Sequence, residues 1–157
     1  MKIKGVIAED FVNYKVPAMV IQFPYCDFKC EQECGEPVCH NGMLAHEPDV
    51  DIITYDLVEM YRSNKISEAI VMQGLEPFDS WEDLKFLVSM LRQYTKDDIV
   101  IYTGYYENEI ADKLEELEKF ANIVVKFGRY IPGDEPHFDK VLGVTLASGN
   151  QYARSIS

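Results

Sequence analysis

The sequence has 157 residues, of which 47% are hydrophobic and 27% charged, a composition that is ordinary for a soluble globular protein and fits a single domain over residues 1–157. The net charge of −12, from 27 acidic against 15 basic residues, repels phosphate backbones and argues against nucleic-acid binding. No apolar run approaches the ~20 residues of a membrane span, and the N-terminus lacks the pattern of a secretory signal, so we expect a cytoplasmic protein with no membrane partner.

Apolar runs typical of strands alternate with segments of helical periodicity along the chain. The predicted elements, in chain order, are a strand at Ala18–Phe23, a helix at Asp51–Ser63, a strand at Ala69–Met72, a helix from an N-cap at Ser80 to Gln93, a strand at Ile99–Tyr102, a helix at Asn108–Phe120 and a strand at Ile123–Lys126. This rhythm predicts an α/β fold with right-handed crossovers and a mostly parallel sheet. Because a closed eight-fold barrel takes about 250 residues, we expect a partial, open βα barrel with four parallel strands and edge strands from the termini.

Three unusual loops follow the first three predicted strands. They are a cysteine-rich loop after Phe23, the segment Gly74-Leu-Glu-Pro77, and the segment Thr103-Gly-Tyr105. Ligands bind at the carboxyl ends of the strands in open α/β sheets, so these loops are expected to converge on one ligand site.

All four cysteines of the chain lie in the stretch YCDFKCEQECGEPVCHN, at positions 26, 30, 34 and 39. A disulfide pair requires an oxidising compartment, and structural thiols are usually scattered through a core rather than crowded into a polar loop. A structural zinc site prefers two ligand pairs separated by a dozen or more residues, and it remains an alternative. We favour an iron–sulfur cluster, in which three thiolate ligands would leave one iron open for a substrate or cofactor, whereas four would suit electron transfer alone.

The segment FPYCDFKC at residues 23–30 resembles the start of the radical S-adenosylmethionine signature, in which a strand leads into a Cys-x3-Cys loop. That signature ends Cys-x2-Cys, whereas six extra residues stand here before Cys39-His40-Asn41. This ending is similar to that of the activating proteins of anaerobic (class III) ribonucleotide reductase. The resemblance implies that Cys26, Cys30 and Cys39 bind a [4Fe–4S] cluster, with Cys34 as the rival third ligand.

A second resembling segment follows the next predicted strand. Met72-Gln-Gly-Leu-Glu-Pro77 is similar to the family's Gly-Gly-Glu-Pro segment, with Leu75 in place of the second glycine. In relatives, backbone oxygens and the glutamate of this segment hold the amino group of S-adenosylmethionine. The resemblance therefore implies that Gly74, Leu75 and Glu76 bind this cofactor.

Later segments resemble the reductase-activating subfamily in the same order along the chain. Tyr102-Thr-Gly-Tyr105 is similar to a segment of that subfamily, which adds Thr103 to the implied cofactor-binding residues. Phe127-Gly-Arg-Tyr-Ile131 and Ser148-Gly-Asn-Gln151, with Arg154 beyond, are similar to its C-terminal segments. A glycine turn with a core tyrosine explains Tyr102–Tyr105 equally well.

The resemblance implies an oxidoreductase that cleaves S-adenosylmethionine reductively and generates a glycyl radical on a large anaerobic ribonucleotide reductase subunit, with a flavodoxin-like or other electron donor. No side chain is nominated as a catalytic acid, base or nucleophile, and the three histidines, at positions 40, 46 and 137, are interpreted as loop residues. Three alternatives stay open. They are a small radical enzyme that acts on a free metabolite, similar to deazapurine carboxylate synthases, a degenerate relative that keeps the cluster without activity, and a non-catalytic zinc- or cluster-binding module.

Overall fold

A six-stranded mixed sheet organises the fold in the computed structural model, which describes residues 1–157. The strands are β1 (Lys2–Ile3), β2 (Gly5–Asp10), β3 (Ala18–Phe23), β4 (Val50–Asp51), β5 (Ala69–Gly74), β6 (Asp98–Tyr102), β7 (Ile123–Phe127), β8 (His137–Asp139), β9 (Val144–Leu146) and β10 (Tyr152–Ser155). The helices are α1 (Lys29–Cys34), α2 (Gly42–His46), α3 (Thr54–Ser63), α4 (Trp81–Arg92) and α5 (Ala111–Leu117), with short 3₁₀ turns at Pro77–Ser80 and Glu107–Glu109.

The large sheet has the strand order β10-β7-β6-β5-β3-β2. Its four central strands, β3, β5, β6 and β7, are mutually parallel, whereas β2 and β10 pair antiparallel at the two edges. The remaining strands form two small antiparallel pairs, β1 with β4 and β8 with β9. The predicted α/β class, the mostly parallel sheet and the edge strands from the termini are confirmed, and the sheet is open.

The two faces of the sheet have different partners because side chains alternate along each strand. Met19, Ile21 and Phe23 of β3 belong to the larger core, where α3, α4 and α5 pack with their leucines. Ala18 and Val20 point to the other face, and no helix covers that side. Loop residues such as Tyr14 and Leu142, and Leu146 of β9, pack there instead.

Several element boundaries differ from the sequence-based predictions. The first long helix begins at Thr54 rather than Asp51, because Val50–Asp51 pairs with β1. The last helix is limited to Ala111–Leu117, since a 3₁₀ turn precedes it. Ser80 precedes α4 as predicted, but its side chain makes no capping hydrogen bond and its hydroxyl is buried without a partner. None of the helices combines the length and apolar character needed to cross a lipid bilayer.

Candidate functional site

A pocket of about 290 Å³ opens at the carboxyl ends of the parallel strands. The loops that follow β3, β5 and β6 form three of its walls, and residues between 128 and 151, after β7, form a fourth. The convergence expected for the three loops is therefore present. A volume roughly ten times the ~30 Å³ share of one water molecule is enough for a small ligand or a compact cluster.

Three of the four cysteines line this pocket, and one lies outside it. Cys26 follows β3, Cys30 lies in the first turn of α1, and Cys39 lies beyond that helix. Phe28 adopts a left-handed backbone conformation with φ 55° and reverses the chain between Cys26 and Cys30, and its N–H donates to Cys26 Sγ at 3.2 Å. Cys34 ends α1, is exposed, and its thiol donates to a backbone carbonyl of the same loop.

The far end of the cysteine segment is tied back to the sheet by side chains. The backbone N–H of Cys39 donates to the Glu31 carboxylate at 3.0 Å, which closes the loop between α1 and Cys39. Asn41 Nδ2 donates to the carbonyl of Gly74 at 2.7 Å, which joins this loop to the end of β5. Cys39-His40-Asn41 and Gly74 therefore meet at one wall of the pocket, although 33 residues separate Asn41 from Gly74 in the chain.

The environment of Cys26 and Cys30 favours the neutral form of both thiols when no metal is bound. Burial raises the pKa of Cys26 to about 12, and the carboxylates of Glu76, Asp79 and Asp27 act in the same direction. Burial and the neighbouring Cys39 also raise the pKa of Cys30. Because thiolates are the metal-binding form, a positive ion or cluster has to replace these protons when it binds.

Glu76 is buried in a pocket wall and held by three donors. Its carboxylate accepts from the backbone N–H of Phe78 at 3.1 Å, from Thr103 Oγ1 at 2.8 Å and from the backbone N–H of Gly104 at 2.9 Å. Burial raises the pKa of Glu76 to about 7, while the three hydrogen bonds act in the opposite direction. Glu76 is thus a fixed carboxylate that a bound ammonium group would stabilise in its charged form.

The predicted cofactor-binding residues take different places around this carboxylate. Gly74, Leu75 and Glu76 line the pocket. Thr103 is buried behind Glu76 and supports it, so it does not line the pocket itself. Gly74 has φ 104°, and a Cβ there would lie 2.8 Å from the backbone nitrogen of Phe23 on the adjacent strand, so this position requires glycine.

Arg129, from the predicted segment after β7, joins the cysteine segment to the opposite wall. Its side chain is 9% exposed and forms two hydrogen bonds with Glu109, at 2.7 and 3.1 Å. Its Nε donates to Glu33 of α1 at 2.9 Å, and Nη1 donates to the carbonyl of Gly104 at 3.2 Å. One guanidinium therefore holds α1 against the loop that follows β6.

A second group of polar side chains lies at the rim beside Cys26. Tyr105 donates to Asp79 at 2.6 Å, and Asp79 also accepts from the backbone N–H of Asp27 at 3.1 Å. The ligand atoms of Cys26, Asp27 and Asp79 lie within 4.8 Å of one another, but the hydrogen bonds show that these carboxylates already hold the loop. The sulfur atoms of Cys26, Cys30 and Cys39 do not all lie within 4.8 Å of one another. A tetrahedral zinc ion would need them ~3.8 Å apart, so the three thiols are not arranged for zinc.

Sequence reasoning did not identify Lys126 as a residue of the pocket, and it misplaced two histidines. Lys126 was interpreted only as the end of a predicted strand, yet its side chain lines the pocket. A lysine within an apolar strand that is buried on both faces was the signal that could have identified it. His40 lies in a loop as predicted and contacts the ring of Tyr130, with 4.3 Å between ring centroids, whereas His46 ends α2 and His137 begins β8.

Comparison with known families gives one match. The family model described as a 4Fe-4S single cluster domain matches residues 18–143, from the first residue of β3 to the residue before β9. The match includes the whole cysteine segment, the Gly74–Glu76 wall and Arg129. No significant match was found among curated proteins or among solved structures.

Proposed function

The chain belongs to the 4Fe-4S single cluster domain family, and we propose that its Cys26, Cys30 and Cys39 hold one cluster with which the protein cleaves S-adenosylmethionine reductively. The observation that carries this proposal is the division of the four thiols, since three line one pocket and Cys34 lies outside it. Three thiolates are a donor set that leaves one iron of a four-iron cluster without a protein ligand. The remaining pocket wall would then face that iron.

The pocket offers groups that suit the amino-acid end of S-adenosylmethionine. Glu76 supplies a buried negative charge, and the carbonyl of Gly74 lies at the same wall. An ammonium group has three N–H donors, so it is well matched by a carboxylate beside a carbonyl oxygen. A bound, reduced cluster would supply the one electron needed to divide S-adenosylmethionine into methionine and a 5′-deoxyadenosyl radical.

The residues of the chain would position the cofactor and limit the access of water. Thr103 and the backbone N–H of Gly104 fix the Glu76 carboxylate, and Arg129 fixes α1 against the opposite wall. No side chain has to act as an acid, base or nucleophile, because the cofactors carry the chemistry. We regard the open sheet as a partial βα barrel whose open side admits the substrate.

We further propose a protein substrate, a glycine near the C-terminus of a large anaerobic ribonucleotide reductase subunit, with a flavodoxin-like donor of electrons. The support is the similarity of the segments Tyr102–Tyr105, Phe127–Ile131 and Ser148–Gln151 to the activating proteins of such reductases. All three segments contribute to the pocket or to its walls. The reducing cytoplasm would keep the four thiols free of disulfide bonds.

A second candidate is a radical enzyme that acts on a free metabolite. It is favoured by the buried ammonium group of Lys126, which could bind a small anion in the pocket. A substrate that is the backbone of a glycine residue has no negative charge and would not require this group. Turnover of a small molecule by the protein alone would select this candidate, whereas a glycyl radical signal formed only with the reductase subunit would select the first.

Release of 5′-deoxyadenosine from S-adenosylmethionine tests the shared chemistry. The parent and the four single Cys→Ala variants would be loaded with iron and sulfide under anaerobic conditions and mixed with a chemical reductant. We expect release from the parent and from Cys34→Ala, and none from Cys26→Ala, Cys30→Ala or Cys39→Ala. Zinc bound without sulfide in the protein as purified would contradict the proposal, and so would release that requires Cys34.

A further inference from the structure

Lys126 is a charged residue inside a strand that is otherwise apolar. All five residues of β7 are buried, and Lys126 itself is 7% exposed. Its side chain lies on the face of the sheet that no helix covers, and it lines the pocket. Lysine is almost never buried to this extent unless it has a charged partner, so its surroundings decide what it does.

The ammonium group of Lys126 has only part of its bonding capacity satisfied. It has three N–H donors, and one of them donates to the carbonyl of Gly128 at 3.0 Å. That carbonyl also accepts from Gln151 Nε2 at 3.2 Å, so both of its lone pairs are used and it cannot accept a second N–H of the lysine. Lys126 forms no ion pair, since no carboxylate oxygen lies within 4.0 Å of its nitrogen.

The other cations of the pocket are different. Arg129 contacts the carboxylates of Glu109 and Glu33, and Lys29 lies 3.6 Å from Asp27. Among the lysines and arginines that line the pocket, only Lys126 has no acidic partner. Its Nζ lies 6.0 Å from the centroid of the Tyr102 ring. The carboxylate of Glu76 acts on it from a distance and partly opposes the effect of burial, which lowers the pKa of Lys126 to about 8.

We propose that Lys126 is the anchor for a carboxylate group of a molecule bound in this pocket. A carboxylate has two acceptor oxygens and one negative charge, so it can accept the two free N–H donors of Lys126 and neutralise its single positive charge. A phosphate dianion fits less well, since the buried Glu76 carboxylate already adds negative charge to the same pocket. The carboxylate belongs either to the amino-acid part of S-adenosylmethionine or to a second small molecule.

This inference rests on the pocket of the proposed function being a ligand site, but not on radical chemistry. The test is anaerobic calorimetric titration of the cluster-loaded full chain with three probes, S-adenosylmethionine, its decarboxylated analogue, and benzoate. The variants are Lys126→Met, Lys126→Arg, and Lys113→Met as the matched control. Lys113 also donates its Nζ to a backbone carbonyl, at 3.0 Å, but it lies outside the pocket.

We expect Lys126→Met to weaken binding of at least one carboxylate probe by about 10- to 100-fold, since hydrogen bonds to charged groups are the strong ones. Lys126→Arg and Lys113→Met should stay within about threefold of the parent, and the decarboxylated analogue should be unaffected. If S-adenosylmethionine is the weakened probe, the carboxylate is that of the cofactor. If only benzoate is weakened, it belongs to a second molecule.

Two results would overturn the inference. One is that the parent and Lys126→Met bind both carboxylate probes with equal affinity. The absence of binding of either probe to the parent counts as the same result. The other is an equal loss for the decarboxylated analogue, which would indicate general damage to the pocket. A melting temperature of unliganded Lys126→Met at or above that of the parent supports a binding role, whereas a clear fall with unchanged affinity assigns a structural one. Release of 5′-deoxyadenosine from the same samples reports separately on the proposed function.

Discussion

Glu76 and Lys126 are buried charged residues of the pocket that form no ion pair, and burial shifts the pKa of each towards its neutral form. The pKa of Glu76 is raised to about 7, and the pKa of Lys126 is lowered to about 8. Both shifts have the same main cause, since removal of water disfavours any charged form. The stability of the unliganded protein should therefore fall with pH between about 4.5 and 7 because of Glu76, and rise with pH between about 8 and 10.5 because of Lys126.

The pH dependence of stability should reveal the cost of burying Lys126. Between about pH 8 and 10.5 the unfolded chain binds more protons at this lysine than the folded protein does, so stability rises with pH across that window. The unfolding free energy of the parent relative to Lys126→Met should therefore increase by up to about 3 kcal/mol from pH 8 to 10.5. Urea denaturation across this range measures the difference, and a constant difference would show that Lys126 is not desolvated.

Replacement of Thr103 by valine tests the support of Glu76. The change removes the 2.8 Å hydrogen bond to the carboxylate while it keeps the shape of the side chain. Above pH 7, where Glu76 is ionised, we expect a loss of about 2 kcal/mol in unfolding free energy, and about 1 kcal/mol at pH 5.5, where Glu76 is neutral. Thr145→Val is the control, because Thr145 lines the pocket and is exposed, and equal losses at both pH values would contradict the role of Thr103.

At the scale of elements, the cysteine segment is attached to the sheet by few contacts. The helices α1 and α2 contain no buried residue, so no hydrophobic packing fixes them. Their position depends on the end of β5 at Gly74, where Asn41 binds, on the ion pair of Arg129 with Glu33, and on Lys4. The ammonium group of Lys4 donates to the carbonyls of Ala45 and Glu47. Each of these attachments can be changed separately.

Gly74→Ala should distort the junction of β3 and β5. The new Cβ would lie 2.8 Å from the backbone nitrogen of Phe23 at a position with φ 104°, so we expect a loss of about 3 kcal/mol in unfolding free energy and loss of cluster binding. Gly35→Ala is the control, because Gly35 has φ 74° but open space around it, and its cost should be about 1 kcal/mol. Denaturant unfolding of both variants checks this, and similar costs would refute the steric argument.

Arg129→Met should release α1 while the sheet stays folded. The change removes the contacts with Glu33, Glu109 and the carbonyl of Gly104, at an expected cost of about 2 kcal/mol. Amide hydrogen exchange of residues 29–34 should become at least about tenfold faster. Arg154→Met, which breaks the more exposed pair with Glu107, should leave that exchange unchanged. Unaltered protection of α1 in Arg129→Met would mean that other contacts hold the helix.

At the scale of the whole molecule, the sheet and the cysteine segment should respond differently to loss of metal. The sheet buries two apolar layers, whereas residues 26–41 depend on polar contacts and on whatever the thiols bind. Removal of the cluster by a chelator should therefore make residues 29–47 the first site of cleavage by a glutamate-specific protease, with far-ultraviolet circular dichroism almost unchanged. Simultaneous loss of the helix and strand signal would show instead that the metal holds the entire fold.

The order of strands and long helices could be predicted from sequence because burial imposes a strong apolar pattern. The predicted strands at Ala18–Phe23 and Ile123–Lys126 agree closely with β3 and β7. The helix α1 and the β8–β9 pair were missed, since no buried residue occurs in α1 and only Asp139 and Leu146 are buried in the two strands. For the site, local sequence motifs were sufficient to predict that the cysteine loop and the Gly74–Glu76 segment bind a ligand or metal. Lys126 was missed because its role depends on which face of β7 it occupies, and sequence alone does not give that.

The order in which the pocket walls occur along the chain has a consequence for biosynthesis. The thiol-bearing wall is made first, followed by the walls at Gly74–Glu76 and Gly104, and the wall between residues 128 and 151 is made last. A domain generally folds as a unit, so the pocket is not complete on a nascent chain until its last wall has been made. We therefore expect the thiols to stay accessible to iron and sulfide until the last wall has been translated, so that a metal centre can assemble before the site closes over it.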